Sequence, residues 1–218
     1  KYMSVLGYSV SGSDGMRGEE IENLAFYGIK TYIGAEENRS ELRQAQLIVY
    51  TDAIPNEHVE LAWARTHKKR LMARSDLLQL VCNSFPYVIS VAGSHGKTTC
   101  TSMCAHILKS ASVPFTAHIG GHDLAFGNFY TCGDEYFVTE ACEYKKNMLK
   151  IRSDAAILLN IDKDHMECYE SETELSACFR RYCMQAKAAF VCADDVKSAA
   201  LGDFATFGIN NTFADYRA

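Results

Sequence analysis

Apolar positions along the chain follow two alternating patterns. Short, dense runs such as 87–93 (YVISVAG) and 155–161 (AAILLNI) have the length and composition of strands. Longer stretches such as 98–110 and 172–186 space their apolar residues three and four apart, as a helix buried on one face does. Alternation of the two predicts parallel α/β layers. In the first part of the chain, 8–14 reads as a strand ending in a turn and 18–29 as a helix with Ile21, Leu24 and Ala25 on one face and Gly28 near its end. A short strand at 30–34 and a buried strand at 45–55, stopped by Pro55, come next. A helix at 56–67, a short strand at 69–74 and a helix at 75–84 with Ser75 as N-cap complete the series.

Phe85 and Pro86 interrupt this pattern, because proline cannot continue a helix and restricts the residue before it. The domain boundary is expected there, giving 1–85 and 86–218. The second series holds strands at 87–93, 135–141, 155–161 and 188–194. Its helices are 98–110, where Met103, Ile107 and Leu108 recur at helical spacing, and 172–186. The chain opens in a helical pattern and its last segment, ATFGINNTFADYRA, shows no closing element, so a piece of a longer protein is expected.

Composition narrows the class. Of the 218 residues 48% are hydrophobic and 22% charged, which is ordinary for a globular protein, and no apolar run approaches the ~20 residues of a membrane span. No secretory signal is visible, so a cytoplasmic protein without membrane insertion is expected. A net charge of −5 offers no footprint for a nucleic-acid backbone, and HKKR at 67–70 reads as a solvated helix end. Nine cysteines form no CxxC and no zinc-ligand spacing with histidine, so most are expected to be buried thiols.

The chemistry concentrates at four turns. In GSHGKTT, Gly93 and Gly96 permit backbone angles that turn the N–H groups of Gly93, Ser94, His95 and Gly96 inward as a phosphate nest, and the helix that follows adds its N-terminus. Lys97 then places a positive charge at the β/γ-phosphates of a nucleotide, and Thr98, followed by Thr99, offers a hydroxyl to Mg²⁺. The full Walker pattern is not met, since Val91 stands where its first glycine belongs; a glycine turn with a surface lysine is the plain alternative. Glu140, at the carboxyl end of an apolar strand, is the expected carboxylate ligand of that metal. The turn after AAILLN brings Asn160, Asp162, Asp164 and His165 to the same crevice, where His165 is either a ligand or structural. His118, Gly120 and Gly121 lie in a flexible turn that is either a substrate loop or a connector. Cys142, Glu143, Lys145 and Lys146 are expected to sit near this crevice, although a run of charges usually makes a solvated loop.

In order along the chain, AGSHGKTT, HIGG, TEACEY and NIDKDHMECY resemble the motifs of the Mur ligase family, ATP-dependent amide-forming enzymes of peptidoglycan synthesis. GYSVSGSD, GIKTYIG and LIVYTDAIP resemble the UDP-sugar domain of the family's alanine-adding branch. The resemblance implies a Rossmann-like N-terminal domain lacking its opening glycine loop, then a P-loop ATPase-type central domain with a mostly parallel sheet. A C-terminal domain is implied and absent, so the fragment alone is expected to be inactive. It also implies ATP and Mg²⁺ as cofactors, with UDP-N-acetylmuramate and L-alanine as substrates. Lys97, Glu140 and His165 take catalytic roles by motif position; Thr98 and Glu140 hold magnesium, His165 holds a second magnesium beside the sugar's carboxylate, and Asn160 joins the nucleotide site. Sister ligases carry a modified lysine after the DH motif, where ACFRRYC has none, and this departure resembles the alanine-adding branch. A ligase that attaches a whole tripeptide to the same UDP-sugar, a non-catalytic UDP-sugar and nucleotide-binding module, and a small-molecule kinase are the alternatives.

Overall fold

The computed structural model describes residues 1–36 and 39–217, and the chain divides into two compact units, Lys1–Leu77 and Leu78–Ala218. In the first unit the elements are α1 (Tyr2–Val5), β1 (Ser11–Asp14), α2 (Glu19–Asn23), β2 (Lys30–Ile33), α3 (Ser40–Gln44), β3 (Ile48–Tyr50), α4 (Val59–Thr66) and β4 (Leu71–Ala73). Helix α5 (Arg74–Asn83) carries the chain across the division. The strands form two parallel pairs, β1 with β2 and β3 with β4, each joined through a helical crossover. Leu42, Trp63 and Ala64 make a small core between α3 and α4, with Ile48 and Leu71 packed against it.

Three local expectations change here. The run at 45–55 yields only the three-residue β3, whose Val49 is exposed, because Thr51 turns the backbone: its Oγ1 accepts from Ala53 N–H at 3.3 Å. The helix at 18–29 tightens into a 3₁₀ turn over Leu24–Tyr27, closed by Gly28 at φ 66°. Ser75 is not the N-cap, since β4 runs directly into α5 and places it inside the helix, where its Oγ donates to Asp52 Oδ2 at 3.5 Å.

The second unit is built on an eight-stranded sheet. Its elements are β5 (Tyr87–Ala92), α6 (Lys97–Ser110), β6 (Phe115–Asp123), β7 (Gly127–Thr131), β8 (Tyr136–Glu140), β9 (Ala155–Leu158), α7 (Glu172–Gln185), β10 (Ala188–Cys192), α8 (Val196–Ala199), β11 (Ala205–Gly208) and β12 (Tyr216–Arg217). Strand order is β12-β11-β10-β9-β5-β8-β6-β7, parallel throughout except for the edge hairpin β6–β7. Strand β5 is central: the chain leaves it for β6, β7 and β8 on one side and then crosses to β9 on the other. The final segment, read as lacking a closing element, extends the sheet through β11 and β12, while Ala218 lies outside the described residues.

Helix α6 covers one part of this sheet, packing Ala105 against Phe115, Ala117, Ile119, Phe126 and Val138. The spacing of Met103 and Ile107 is helical, but both are exposed, at 59% and 65%. Small Thr101 and Ala105 face the strands instead, which lets the helix axis approach the sheet closely, with Leu108 partly buried beside them. Helix α7 begins at Ser171, whose Oγ accepts from Glu174 N–H at 3.1 Å, and buries Leu175, Cys178, Phe179, Tyr182 and Cys183. Within that face the Tyr182 hydroxyl donates to Ser90 O at 3.1 Å and meets Ser90 Oγ at 2.5 Å, and Ser90 Oγ meets Ser153 Oγ at 2.5 Å. None of the nine cysteines is in a disulfide; Cys82, Cys178 and Cys183 are buried, and Cys132 is exposed. Burial pushes the Cys82 and Cys183 thiols up to about 12. Among the described residues no helix is long and apolar enough to cross a membrane.

Removing the buried Tyr182 hydroxyl leaves Ser90 and Ser153 short of a partner, so Tyr182→Phe is expected to destabilise the chain by about 1–3 kcal/mol. Ile107→Ala, on the exposed face of α6, should stay within about 0.5 kcal/mol of the parent. Urea unfolding followed by circular dichroism measures both.

Candidate functional site

Parallel pairing sets the site. Val91 of β5 lies beside Glu140 of β8, and Ala92 lies beside Leu158 of β9, so the exits of all three strands fall at one level. At a point where strand order reverses, those exits open a crevice. Gly93 leaves β5 at φ 137°, and a Cβ there would stand 3.1 Å from Asn160 N; only glycine lets the loop run this close to the β9 exit. Gly96 follows at φ 82° and leads into α6, which starts without a side-chain cap. The first-turn N–H groups, Lys97 to Thr99, are therefore left to an outside acceptor.

The β9 exit clamps this loop. Asn160 Oδ1 accepts from His95 N–H at 2.8 Å and its Nδ2 donates to His95 O at 3.0 Å, while Ser94 N–H donates to Asn160 O at 3.1 Å. Asp162 N–H donates to Ser94 Oγ at 2.8 Å, and its carboxylate lies 3.4 Å from His95 Nε2. Bonds from Lys163 N–H and from the His95 ring hold the Asp162 carboxyl below its usual range. The amide of Asn160 is thus used on the loop backbone. Beside it lies a cleft of about 540 Å³ lined by His95, Asn160, Asp162, Asp194, Asp195 and Lys197.

On the β8 side, HIGG is a strand segment and not a flexible turn. It lies in β6, where the pairing with β7 shifts register between His118 and Asp123, and this irregularity turns Gly120 toward β8. Gly120 N–H donates to Glu140 Oε1 at 2.6 Å, and His118 Nδ1 lies 3.0 Å from Thr139 Oγ1. A Cβ on Gly120 would meet the Glu140 carboxylate at 2.6 Å, and one on Gly121 would meet the Thr98 methyl at 3.0 Å. The glycine pair therefore makes a cradle in which Thr98 and Glu140 both approach β6. A hydroxyl and a carboxylate are a hard-oxygen donor set that suits Mg²⁺.

Lys97 folds back over its own loop, donating to Gly93 O at 2.6 Å, Ser94 O at 3.3 Å and Glu143 Oε1 at 3.0 Å. A run of charges usually makes a solvated loop, yet Glu143 within this one has 0% exposure. The loop after β8 curls inward: Met148 N–H returns to Cys142 O at 2.7 Å, Lys146 N–H returns to Glu143 O at 2.8 Å, and Tyr169 Oη donates to Glu143 O at 2.5 Å. This shape holds Lys145 and Lys146 at φ 50° and 60°, a left-handed conformation that costs on the order of 1–2 kcal/mol per non-glycine residue. His165 is left-handed as well, at φ 52°. Its Nε2 is 3.8 Å from Glu143 Oε1, its Nδ1 is 3.5 Å from Glu167 Oε1, and its ring meets the edge of Tyr144. Ligand atoms of Glu143, Asp164 and His165 lie within 4.8 Å of one another, whereas Glu140 is turned to Gly120.

A central strand that runs through a glycine loop into a helix, at the reversal of a parallel sheet, defines an α/β protein of the phosphate-loop class. Residues 1–86 match the catalytic domain of the Mur ligase family and residues 91–218 the Mur ligase middle domain. The chain belongs to the Mur ligase family. It is 40% identical over 177 residues to UDP-N-acetylmuramate--L-alanine ligase of Clostridium beijerinckii, covering 81% of this chain and 38% of that protein. To the protein of the same name from Clostridium novyi it is 38% identical over 221 residues, covering 97% of this chain and 47% of that one. Among solved structures, UDP-N-acetylmuramate-alanine ligase MurC from Thermotoga maritima superposes with a TM-score of 0.88 at 25% identity, covering 96% of this chain and 49% of that one. A UDP-N-acetylmuramate:L-alanyl-gamma-D-glutamyl-meso-diaminopimelate ligase from Neisseria meningitides shares the fold, with a TM-score of 0.83 at 21% identity over 94% of this chain and 71% of that one. The chain spans less than half the length of the curated relatives named here.

Asn160→Ala removes both side-chain bonds to the His95 backbone, and is expected to cost about 1–3 kcal/mol. Amide exchange at His95, followed by NMR, should accelerate selectively, with the core of β5 unchanged.

Proposed function

We propose that this chain is the UDP-sugar- and ATP-binding part of a cytoplasmic ligase that joins L-alanine to the lactyl carboxylate of UDP-N-acetylmuramate in peptidoglycan synthesis. One observation carries the reading: Lys97, Thr98 and Glu140 converge with the Asn160–His165 turn at the exits of β5, β8 and β9, in a chain 40% identical to a ligase of that name.

The chemistry needs what the site offers. A carboxylate is a poor acylating agent, so the lactyl carboxylate attacks the γ-phosphorus of ATP; the bond to the bridging oxygen breaks, ADP leaves and an acyl phosphate forms. The amine of L-alanine then attacks the acyl carbon, phosphate leaves and the amine gives up a proton. No protein nucleophile takes part. Gly93, Ser94, His95 and Gly96 shape the loop, and the N–H groups of Lys97, Thr98 and Thr99 face the phosphates. Lys97 neutralises charge on the transferred phosphoryl group, where positioning and electrostatics supply most of the rate. Asn160 acts by holding the loop in shape, and the cleft beside His95 and Asp162 takes the remainder of the nucleotide. The His118, Gly120 and Gly121 segment sets the sugar's lactyl end beside Glu140. Thr98 and Glu140 would hold one magnesium ion and His165 a second beside the sugar's carboxylate, and magnesium when bound would screen phosphate charge.

A second reading, a ligase that attaches a tripeptide to the same UDP-sugar, is favoured by the fold shared with the Neisseria protein. Phosphate release by the protein at the full length of its relatives separates the two. Release that depends on UDP-N-acetylmuramate and is fastest with L-alanine supports the first reading; preference for the tripeptide moves the assignment to the second, and release with neither returns the chain to a binding module.

In the 218-residue chain, titration with a fluorescent ATP analogue and Mg²⁺ should show binding that Lys97→Met weakens by about tenfold or more, the scale of a charge-assisted contact to phosphate. Gly120→Ala displaces the Glu140 carboxylate and should weaken the Mg²⁺-dependent part of the affinity, with little change in melting temperature. Equal affinity in all three proteins would contradict the assigned loop.

A further inference from the structure

Glu143 is a buried charge with half of its hydrogen-bonding capacity unused. Its side chain has 0% exposure, Lys97 Nζ holds Oε1 at 3.0 Å, and Oε2 has no hydrogen-bond partner. Two further groups reach the same carboxylate from the turn after β9. His165 Nε2 stands 3.8 Å from Oε1, and one oxygen of Asp164 completes a set of three ligand atoms within 4.8 Å of one another. The residues around them are held in place: Tyr169 Oη donates to Glu143 O at 2.5 Å, the Tyr144 ring lies edge-on to His165, and Asp164 Oδ1 accepts from His165 N–H at 2.9 Å.

The ammonium of Lys97 therefore has competing demands. It is shared among Gly93 O, Ser94 O and Glu143 Oε1, and all three lie at the loop assigned above to phosphate. Phosphate oxygens entering the loop, which is the reading given under the proposed function, offer it stronger acceptors and draw it off the carboxylate. Glu143 would then be a fully buried anion without a counter-charge, a costly arrangement unless another cation replaces the one removed. Two carboxylate oxygens and an imidazole nitrogen accept Mg²⁺ or Mn²⁺, whereas a thiophilic metal finds no thiolate in the set.

We propose that Glu143 exchanges Lys97 for a divalent cation: it neutralises the lysine while the phosphate loop is empty, and with Asp164 and His165 it seats the cation once Lys97 turns to phosphate. Three consequences follow from the shared carboxylate. Lys97 and the cation compete in the absence of nucleotide; nucleotide and cation favour one another's binding; and Glu143 acts on Lys97 as a positioning residue.

The test is a Mn²⁺ titration of the 218-residue chain, read by the loss of the free-ion EPR signal and run without nucleotide. Lys97→Met removes the competitor and is expected to tighten Mn²⁺ binding by about tenfold, the opposite of what loss of a stabilising ion pair would do. Asp164→Asn, at a side chain that is 42% exposed and therefore tolerant of change, should weaken binding by about tenfold, and Glu143→Gln should do the same if it folds. Unchanged or weaker Mn²⁺ binding in Lys97→Met, or unchanged binding in Asp164→Asn, overturns the exchange. A parallel titration with the fluorescent ATP analogue separates this result from the nucleotide reading. Analogue binding without the Lys97→Met effect on Mn²⁺ rejects the exchange alone; the Mn²⁺ pattern without analogue binding supports the cation seat and rejects the loop's assignment.

Discussion

The pairing of β5 with β8 on one edge and β9 on the other is the constraint on which the second unit depends. Its backbone groups lie in a dry interior, where each N–H and C=O must find a partner, so neither neighbour can slide by a residue without exchanging its inner and outer faces. With Val91 beside Glu140 and Ala92 beside Leu158, the exits of the strands are level, and Gly93 turns away within van der Waals reach of Asn160. Helix α6 can begin at that point because small Thr101 and Ala105 let it settle against the sheet. The glycine loop is thus a consequence of register, and its shape is kept by the Asn160 side chain, which bonds the His95 backbone, and by Ser94 Oγ, which accepts from Asp162 N–H.

Charge is arranged around that frame unevenly. Glu140 stays near the surface of the crevice and takes one backbone N–H from Gly120, whereas Glu143, three residues on, is withdrawn completely from water. Burying a carboxylate is costly unless it is paired, and Lys97 provides the pair. The left-handed backbone at Lys145, Lys146 and His165 belongs to the same economy of positions: strain at three residues brings Glu143 and His165 to face one another, and the packing of Met148 and the bond from Tyr169 hold the turn against relaxation.

Much of the loop at the β5 exit was legible in the residues alone. A glycine turn between an apolar strand and a helix has few physical uses, and Glu140 ends a run whose length and composition allow only a buried strand. Other readings failed for local reasons. HIGG looked like a flexible turn because two glycines sit together, but the hairpin partner β7 draws it into a strand. Met103 and Ile107 have the right spacing for a core face and lie on the outer one, since periodicity gives a stripe without saying which neighbour it meets. The two short strands of the final segment were not visible in the residues, since they find partners only by adding to an edge that β10 already presents.

By itself the sequence determined the alternation of strands and helices, the glycine positions that require left-handed backbone, and the family motifs with their order, because these depend on residues adjacent or one turn apart. Only the tertiary structure decided the burial of Glu143, its contact with Lys97, 46 positions away, and the meeting of Asp164 and His165 with its carboxylate. Burial is a property of what packs over a residue, and a run of charged side chains carries no mark of which one the fold will close upon.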